Sequence, residues 1–421
     1  MEDNELKIIS DSREAELLLS MASPYKAPEF KAIKNKDIIP FLDNDGTQFP
    51  DKLIYYKNNA PTHGSILSNV ADQVAGNGFE VEEGPKKQET IDFLGNFGAN
   101  GEDAFEILEK MAGDLIDFKG ISLLLTWSAD GKKILKGEHY DFSKIRSNKV
   151  NSLTGKVDVY WYDWEWNKQR RNPIPIPAFN IDVMADQNKA YSIAVEKTIM
   201  KGEIIPELKN MLNTKYSQML YMHPYASNEF YYPLPYYVAG INAINASISI
   251  DQYSLGMINN NLSSNHIINF KGNYTPDQWK QNCREFDRSY IRGIKKGLPI
   301  MMKSKDENQS IEVISIQQNG KDEKFKAINE SSRDKILQSH NITSPMLVGI
   351  REAGSLGGST ELETASNLFY RNTIRPKQNY LIKIFNIILN INELNNVTLK
   401  RLTLLPENTE AEESKNTNKE I

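Results

Sequence analysis

The sequence of 421 residues has one cysteine, Cys283, so an internal disulfide and a cysteine-rich zinc cage are both excluded. Its five histidines, His63, His139, His223, His266 and His340, are scattered without metal-ligand spacing. No apolar run is long enough to span a bilayer, and Met1–Ser20 lacks the basic and apolar regions of a signal peptide. A protein made in a reducing cytoplasm, with no membrane partner, is the expectation. Positive charge is not in excess either: 50 Lys and Arg face 55 Asp and Glu, a net charge of -5. That balance argues against a broad basic surface gripping nucleic acid, so any DNA contact should be local or loose. There is no G-x-x-x-x-G-K-[ST] phosphate loop, no G-x-S-x-G nucleophile elbow and no H-E-x-x-H helix. Asp114, Asp117 and Glu138 have a nuclease's ligand chemistry, but their spacing does not set them apart from surface carboxylates. The expectation is a protein that is not an enzyme and has no catalytic residue, metal or cofactor.

What is present is an ordinary globular composition, 39% hydrophobic and 25% charged, on a chain long enough for one elongated fold or several domains. Lys26–Tyr56 is rich in Pro, Asp and Lys and reads as an irregular arm. Ile66, Leu67, Val70 and Val74 sit at helical spacing, and a stronger helix is expected at Asp103–Phe118, its stripe made of Phe105, Leu108, Met111, Ala112, Leu115 and Ile116, with Gly120 ending it. Ile121–Trp127 reads as a strand reaching a turn at Asp130-Gly131, and Val157, Val159 and Trp161 alternate in another. The aromatic run Tyr160, Trp161, Tyr162, Trp164 and Trp166 is a binding platform or, by the commoner pattern, a strand with its core contacts. Together these predict an α+β fold.

After Tyr231-Tyr232-Pro233-Leu234-Pro235 a helix is expected to run to about Asn260. One apolar line carries Tyr237, Ile241, Ile244, Ile248, Leu255 and Ile258; a second carries Ala239, Ala243, Ala246, Ile250, Tyr253 and Met257. The remaining face is polar but uncharged, and a helix apolar over so much of its circumference must be covered on several sides, inside a domain or between subunits. A compact unit follows, with strands at Ile267–Phe270, Pro299–Met302 and Ile311–Ile316. Its helix starts at Thr275 with Pro276 and Gln278 in capping-box positions and buries Trp279, Cys283, Phe286 and Tyr290. Asp322–His340 is a charged helix. Asn341–Thr360 is broken by Pro345 and by Gly349, Gly354, Gly357 and Gly358, and the last helix, capped by Thr360 and Glu363, should kink at Pro376. Pro406–Ile421 has no periodicity and reads as a disordered tail.

In this order the elements resemble the portal proteins of long-tailed phages. Asn58-Asn59-Ala60-Pro61-Thr62-His63 followed by Gly76-Asn77-Gly78-Phe79 is similar to that family's N-terminal signature. Tyr231-Tyr232-Pro233-Leu234-Pro235-Tyr236 resembles its entry into a stem helix, and Met257-Ile258-Asn259-Asn260-Asn261 the turn that ends it. Ser344-Pro345-Met346-Leu347-Val348-Gly349 resembles the end of the second stem helix, and Glu363–Phe369 with Thr373-Ile374-Arg375-Pro376 the helix beyond. Each motif is weak alone; their collinearity over roughly residues 50 to 392 carries the resemblance. Two departures are Tyr232, where many members have Gly, and a short tail after Ile391.

The resemblance implies an N-terminal arm at 1–64, an α/β wing at 65–232, stem helix 1 at 233–261, an α/β clip at 262–320, stem helix 2 at 321–343, a tunnel loop at 344–359, a kinked wing or crown helix at 360–392, and a short, largely disordered tail at 393–421. It implies a homo-dodecameric ring at a capsid vertex, through which double-stranded DNA is packaged and ejected without sequence-specific binding. Implied partners are the major capsid protein, the terminase large subunit and a head-tail adaptor, with the protein in the virion and, during assembly, in host cytoplasm. Subunit contacts then fall to Tyr237, Ile241, Ile244, Ile248, Ile250, Tyr253 and Leu255. The channel loop is Ile350, Arg351, Glu352, Ala353, Gly354, Ser355, Leu356, Gly357 and Gly358, otherwise a plain connector. Arg284, Arg288, Arg292, Lys295 and Lys296 form a basic cluster that meets DNA, meets an acidic motor or adaptor, or is simply solvated. The alternatives are another ring or shell protein of a virion, such as a connector or capsid subunit, and, more remotely, a DNA-processing enzyme with cryptic metal ligands.

Overall fold

The computed structural model describes residues 25–32, 37–167, 173–180, 217–227, 229–260, 266–270, 275, 277–278, 281, 311–315, 321–349 and 359–402. They divide into two compact units, Met1–Ala239 with Ser339–Ile421 and Gly240–Gln338. Helices and sheets are mixed, as the α+β expectation required.

In the first unit α1 (Phe49–Asn59) and α2 (Pro61–Ala75) each carry a proline in the first turn, where its fixed φ fits and its missing N–H has no helical partner to lose. After β1 (Phe79–Val81) and α3 (Lys87–Gly95) comes α4 (Ala104–Phe118), the best specified helix. The Asp103 carboxylate accepts from the N–H groups of Phe105 and Glu106, and Glu106 reaches back to the Asp103 N–H. The helix stops at Lys119, in the left-handed region, before Gly120, where a Cβ would lie 2.2 Å from the Phe142 ring. Ile107, Leu108, Met111, Leu115 and Ile116 are buried along it, each large side chain worth about 1.5–3 kcal/mol of transfer free energy. They pack on α2 and on β2 (Ile121–Trp127).

β2 is apolar without alternation because it is covered on both faces. It lies between β3 (Ile134–His139) and β7 (Ser217–Met222), antiparallel to both, in the order β3-β2-β7. Leu124 points to a cluster with Ile145, Ile176 and Met219 that joins this sheet to a second one, β4 (Ile145–Ser147), β5 (Val159–Tyr162) and β6 (Ile174–Pro177). The aromatic run resolves into β5 and its core contacts: Trp161 and Trp166 are buried and hydrogen-bonded to Asn148 and to the Lys144 carbonyl, whereas Trp164 is exposed.

The structure corrects two expectations. The arm ending at residue 64 is not irregular, since α1 lies in it and Ile39, Phe41, Phe49 and Leu53 are core. Tyr232 fastens it, its ring stacked 4.0 Å from Phe41 and its hydroxyl donating to the Ile39 carbonyl while accepting from the Ser147 N–H. Arg146 lies over Phe41 and Trp166 and bonds Gln48. The tail is ordered beyond residue 392: β10 (Val397–Leu399) pairs antiparallel with β1.

The other unit holds α5 (Ile241–Asn260), β8 (His266–Phe270), antiparallel to β9 (Ile311–Ser315), and α6 (Lys321–Ser339). Thr275 and Gln278 make the expected reciprocal capping bonds. Trp279, Cys283, Phe286, Tyr290 and Pro299–Met302 lie outside the described residues, as does Pro406–Ile421.

The first unit closes with α7 (Ser359–Phe369), a π-helical turn Tyr370–Ile374, and α8 (Arg375–Ile391). The π turn stands where Pro376 has no N–H for the carbonyl one helical turn back, and the helix widens there. Asparagines at the far end of α8 finish sheet edges. The Asn392 side chain donates to the Ile134 carbonyl and accepts from its N–H, both at 2.8 Å. Asn392→Ala should therefore lower stability by about 2–4 kcal/mol, two buried backbone groups losing their partners, while the exposed Asn390→Ala changes little. Urea midpoints measure both, and equal midpoints would remove Asn392 from the edge.

Candidate functional site

Tyr237 lies just before the first unit ends at Ala239, and His340 just after it resumes at Ser339. Their rings stack at 5.2 Å. His63 of α2 completes the group, 4.5 Å from Tyr237 and 5.1 Å from His340 by ring centroids, with its Nδ1 2.9 Å from His340 Nε2. The two points where the chain leaves and re-enters this unit are thus held by three mutually contacting buried rings. The Tyr237 hydroxyl donates to the Asp117 carbonyl at 2.9 Å, and the Asp117 carboxylate takes Lys57 Nζ at 2.6 Å.

The surroundings keep both imidazoles neutral. Burial, then the repulsion a protonated His340 would exert and the charge of Lys57, hold His63 down to about 3; burial and then Lys377 do the same to His340. One ring must donate and the other accept, since two imidazolium rings could not share the 2.9 Å contact. Lys377, brought down to about 8 by burial, lies over the Tyr236 ring at 4.6 Å and donates to the Thr373 carbonyl of the π turn at 2.9 Å. The sequence reading, which found the histidines scattered, misses this group: His63 and His340 are 277 positions apart and no local spacing signals it.

The channel-loop residues Ile350, Arg351, Glu352, Ala353, Gly354, Ser355, Leu356, Gly357 and Gly358 lie outside the described residues. Their flanks are described. Pro345–Val348 forms a 3-10 turn with Leu347 buried, ending at Gly349 with φ 77°. Thr343 Oγ1 donates to the Ala365 carbonyl of α7 at 2.9 Å, so both roots of the segment belong to one packed body. Arg401 bonds Asn367 and lies 4.2 Å over the Tyr370 ring, tying α7 and the π turn to the chain beyond β10.

The residues expected at subunit contacts separate. Tyr237, Ile241, Ile244 and Ile248 are buried within the single chain. Ile250 and Tyr253 are half-buried and Leu255 is 58% exposed. Between α5 and α6 runs a groove of about 380 Å³, lined by Asn242, Ala243, Ala246, Ala327, Ile328 and Lys335 among others. The basic cluster Arg284, Arg288, Arg292, Lys295 and Lys296 lies outside the described residues. Asp114 and Asp117 are not surface carboxylates. Asp114, raised to about 6 chiefly by burial, accepts from the Phe142 N–H and lies 2.8 Å from His139 Nε2, tying α4 to β3. Among the described residues no three His, Cys, Asp or Glu side chains come together as metal ligands.

The neutral histidine pair makes stability depend on pH. In the unfolded chain each imidazole takes a proton near 6.5; in the fold each takes one only near 3. Stability is therefore full above about 6.5 and falls as pH drops toward 3, by up to about 2 kcal/mol per histidine at pH 5. Asp114, raised in the fold, works in the opposite sense. Comparison of His340→Gln with the unaltered protein cancels that contribution, and the variant should show a shallower loss of melting temperature between pH 7 and 5. Parallel curves would mean that the pair is not held neutral.

No protein-family model matches the sequence, and no curated protein matches it. Solved structures do. A chain in the neck of an empty gene transfer agent (GTA) particle computed with C6 symmetry aligns over 95% of this chain and 92% of that one, at 13% identity and TM-score 0.51. A chain in the neck of the native GTA particle computed with C12 symmetry aligns over 92% and 89%, at 14% identity and TM-score 0.51. A phage portal protein of the HK97 family from Corynebacterium diphtheriae aligns more loosely, at 8% identity and TM-score 0.40 over 82% and 95%. At the level of the fold, this chain thus resembles chains of a gene transfer agent particle neck over nearly its whole length.

Proposed function

We propose that this chain is a portal subunit, twelve copies of which close into a ring at one capsid vertex and form the channel for DNA packaging and ejection. The observation that carries the reading is the fold shared, over nearly the whole chain, with subunits of a symmetric particle neck. A closed ring is built from a heterologous contact, so each subunit needs two different faces. In this reading α5 and α6 are the stem. Leu255 and the half-buried Ile250 and Tyr253 supply one face, and the small-residue groove with Ile328 supplies the other. Residues 262–320, with the basic cluster Arg284, Arg288, Arg292, Lys295 and Lys296, form the clip that meets the terminase large subunit and later the head-tail adaptor. The first unit, as wing, sits against the major capsid protein.

DNA has to slide through such a ring. Each added phosphate contact would steepen salt-dependent binding and resist translocation, and the net charge of -5 fits that requirement. Ile350–Gly358 forms the constriction, with Arg351 its one cation and Glu352 beside it limiting the grip. The role is mechanical and involves no catalytic step or cofactor.

Native mass spectrometry with negative-stain averaging tests the ring directly: a dodecamer with a duplex-wide hole is expected, and a compact dimer with metal-dependent nuclease activity would overturn the proposal. Deleting Ala353–Gly358 should leave rings intact while impairing DNA packaging or retention. Loss of ring assembly in that variant would contradict the loop's assignment.

A further inference from the structure

Exposed sheet edges invite pairing with other chains, and proteins usually cover them. In the first unit β3 is closed by Asn392 at Ile134 and by the Phe97 carbonyl at Gly137, β4 by Ile39 at Ser147, and β10 by Asn386, whose side chain bonds both the N–H and C=O of Val397. β6 is linked to β7 through Ala178 and Met219. The outer side of β1 differs. Because Val397 turns its N–H and C=O to Asn386, Val81 and Val397 form a pair without mutual backbone bonds, and by antiparallel alternation so do Phe79 and Leu399. The N–H and C=O of Phe79 and Val81 therefore point away from β10, and no described residue bonds them.

Beside this edge lies an apolar groove of about 170 Å³ between α3 and α4, lined by Phe79, Val81, Ile91, Leu94, Ala104 and Phe105. Ile91 is 43% exposed in it, and no lysine or arginine lines it. Asp103 stands at its rim, and Glu80 projects from the opposite face of β1, between the two residues whose backbone is open. An added strand would turn alternate side chains into the groove and the intervening ones toward Glu80. We propose that the β1 edge and its groove take an extended segment of a partner protein, apolar at alternate positions and basic between them, as a third strand beside β1.

The full-length protein is titrated with a labelled peptide of alternating valine and lysine, and with its valine–glutamate counterpart. The lysine peptide should bind about tenfold more tightly or better, and should slow hydrogen exchange at the Phe79 and Val81 amides by a similar factor. Val81→Pro removes an outward N–H while leaving the β1–β10 bonds at Glu80 untouched, and Ile91→Asp alters an exposed groove wall. Each should weaken the lysine peptide about tenfold or more at unchanged melting temperature. Binding that survives both substitutions, equal binding of the glutamate peptide, or amides already protected without peptide, which would mean another part or copy of this chain fills the edge, would overturn the proposal.

Discussion

The contact of His63, Tyr237 and His340 is the constraint on which the first unit depends. A chain that departs at residue 239 and returns at residue 339 must have its two ends brought together, and the loop entropy of that closure has to be met by local contacts. Three buried rings and the Tyr237 bond to the Asp117 carbonyl do this. The N–H shared between the imidazoles requires them to be neutral, so the closure is held by packing and neutral hydrogen bonds, without an ion pair at its centre. The Lys57–Asp117 pair stands one layer out, where charge is partly solvated.

The C-terminal helix α8 is the second organiser. Gln378 bonds the Gln73 carbonyl of α2 and accepts from Tyr370, Asn386 closes β10, and Asn392 closes β3. One helix thus connects the π turn, the helical layer and two sheet edges, and its other face buries Leu381, Ile384, Phe385 and Ile388. The segment proposed to constrict DNA is rooted on this body through Thr343, Ala365 and Leu347, so its ends are fixed whatever its middle does.

What could be read from the sequence was whatever local chemistry decides. Periodicity ending at a glycine placed α4, apolar continuity placed β2, and paired apolar lines placed α5. Failures came where a distant partner decides. The arm at 37–59 is poor in pattern, yet it becomes core because Tyr232 and Arg146, far along the chain, supply aromatic and hydrogen-bonding partners. β10 is too short to show alternation and exists through β1, more than 300 positions away. Of the site, the loop's glycines and the helix faces were visible. Which face residues the chain itself covers, as it does Ile241 and Ile244, depends on packing that sequence spacing does not encode.

A density map of the assembled particle tests most directly whether the ring closure places the DNA contact where the fold roots it. The account predicts Gly349 and Ser359, the described roots of the loop, close to the symmetry axis, with His63 and His340 paired in every subunit. Roots at the outer rim of the assembly, or a histidine pair opened on assembly, would contradict it.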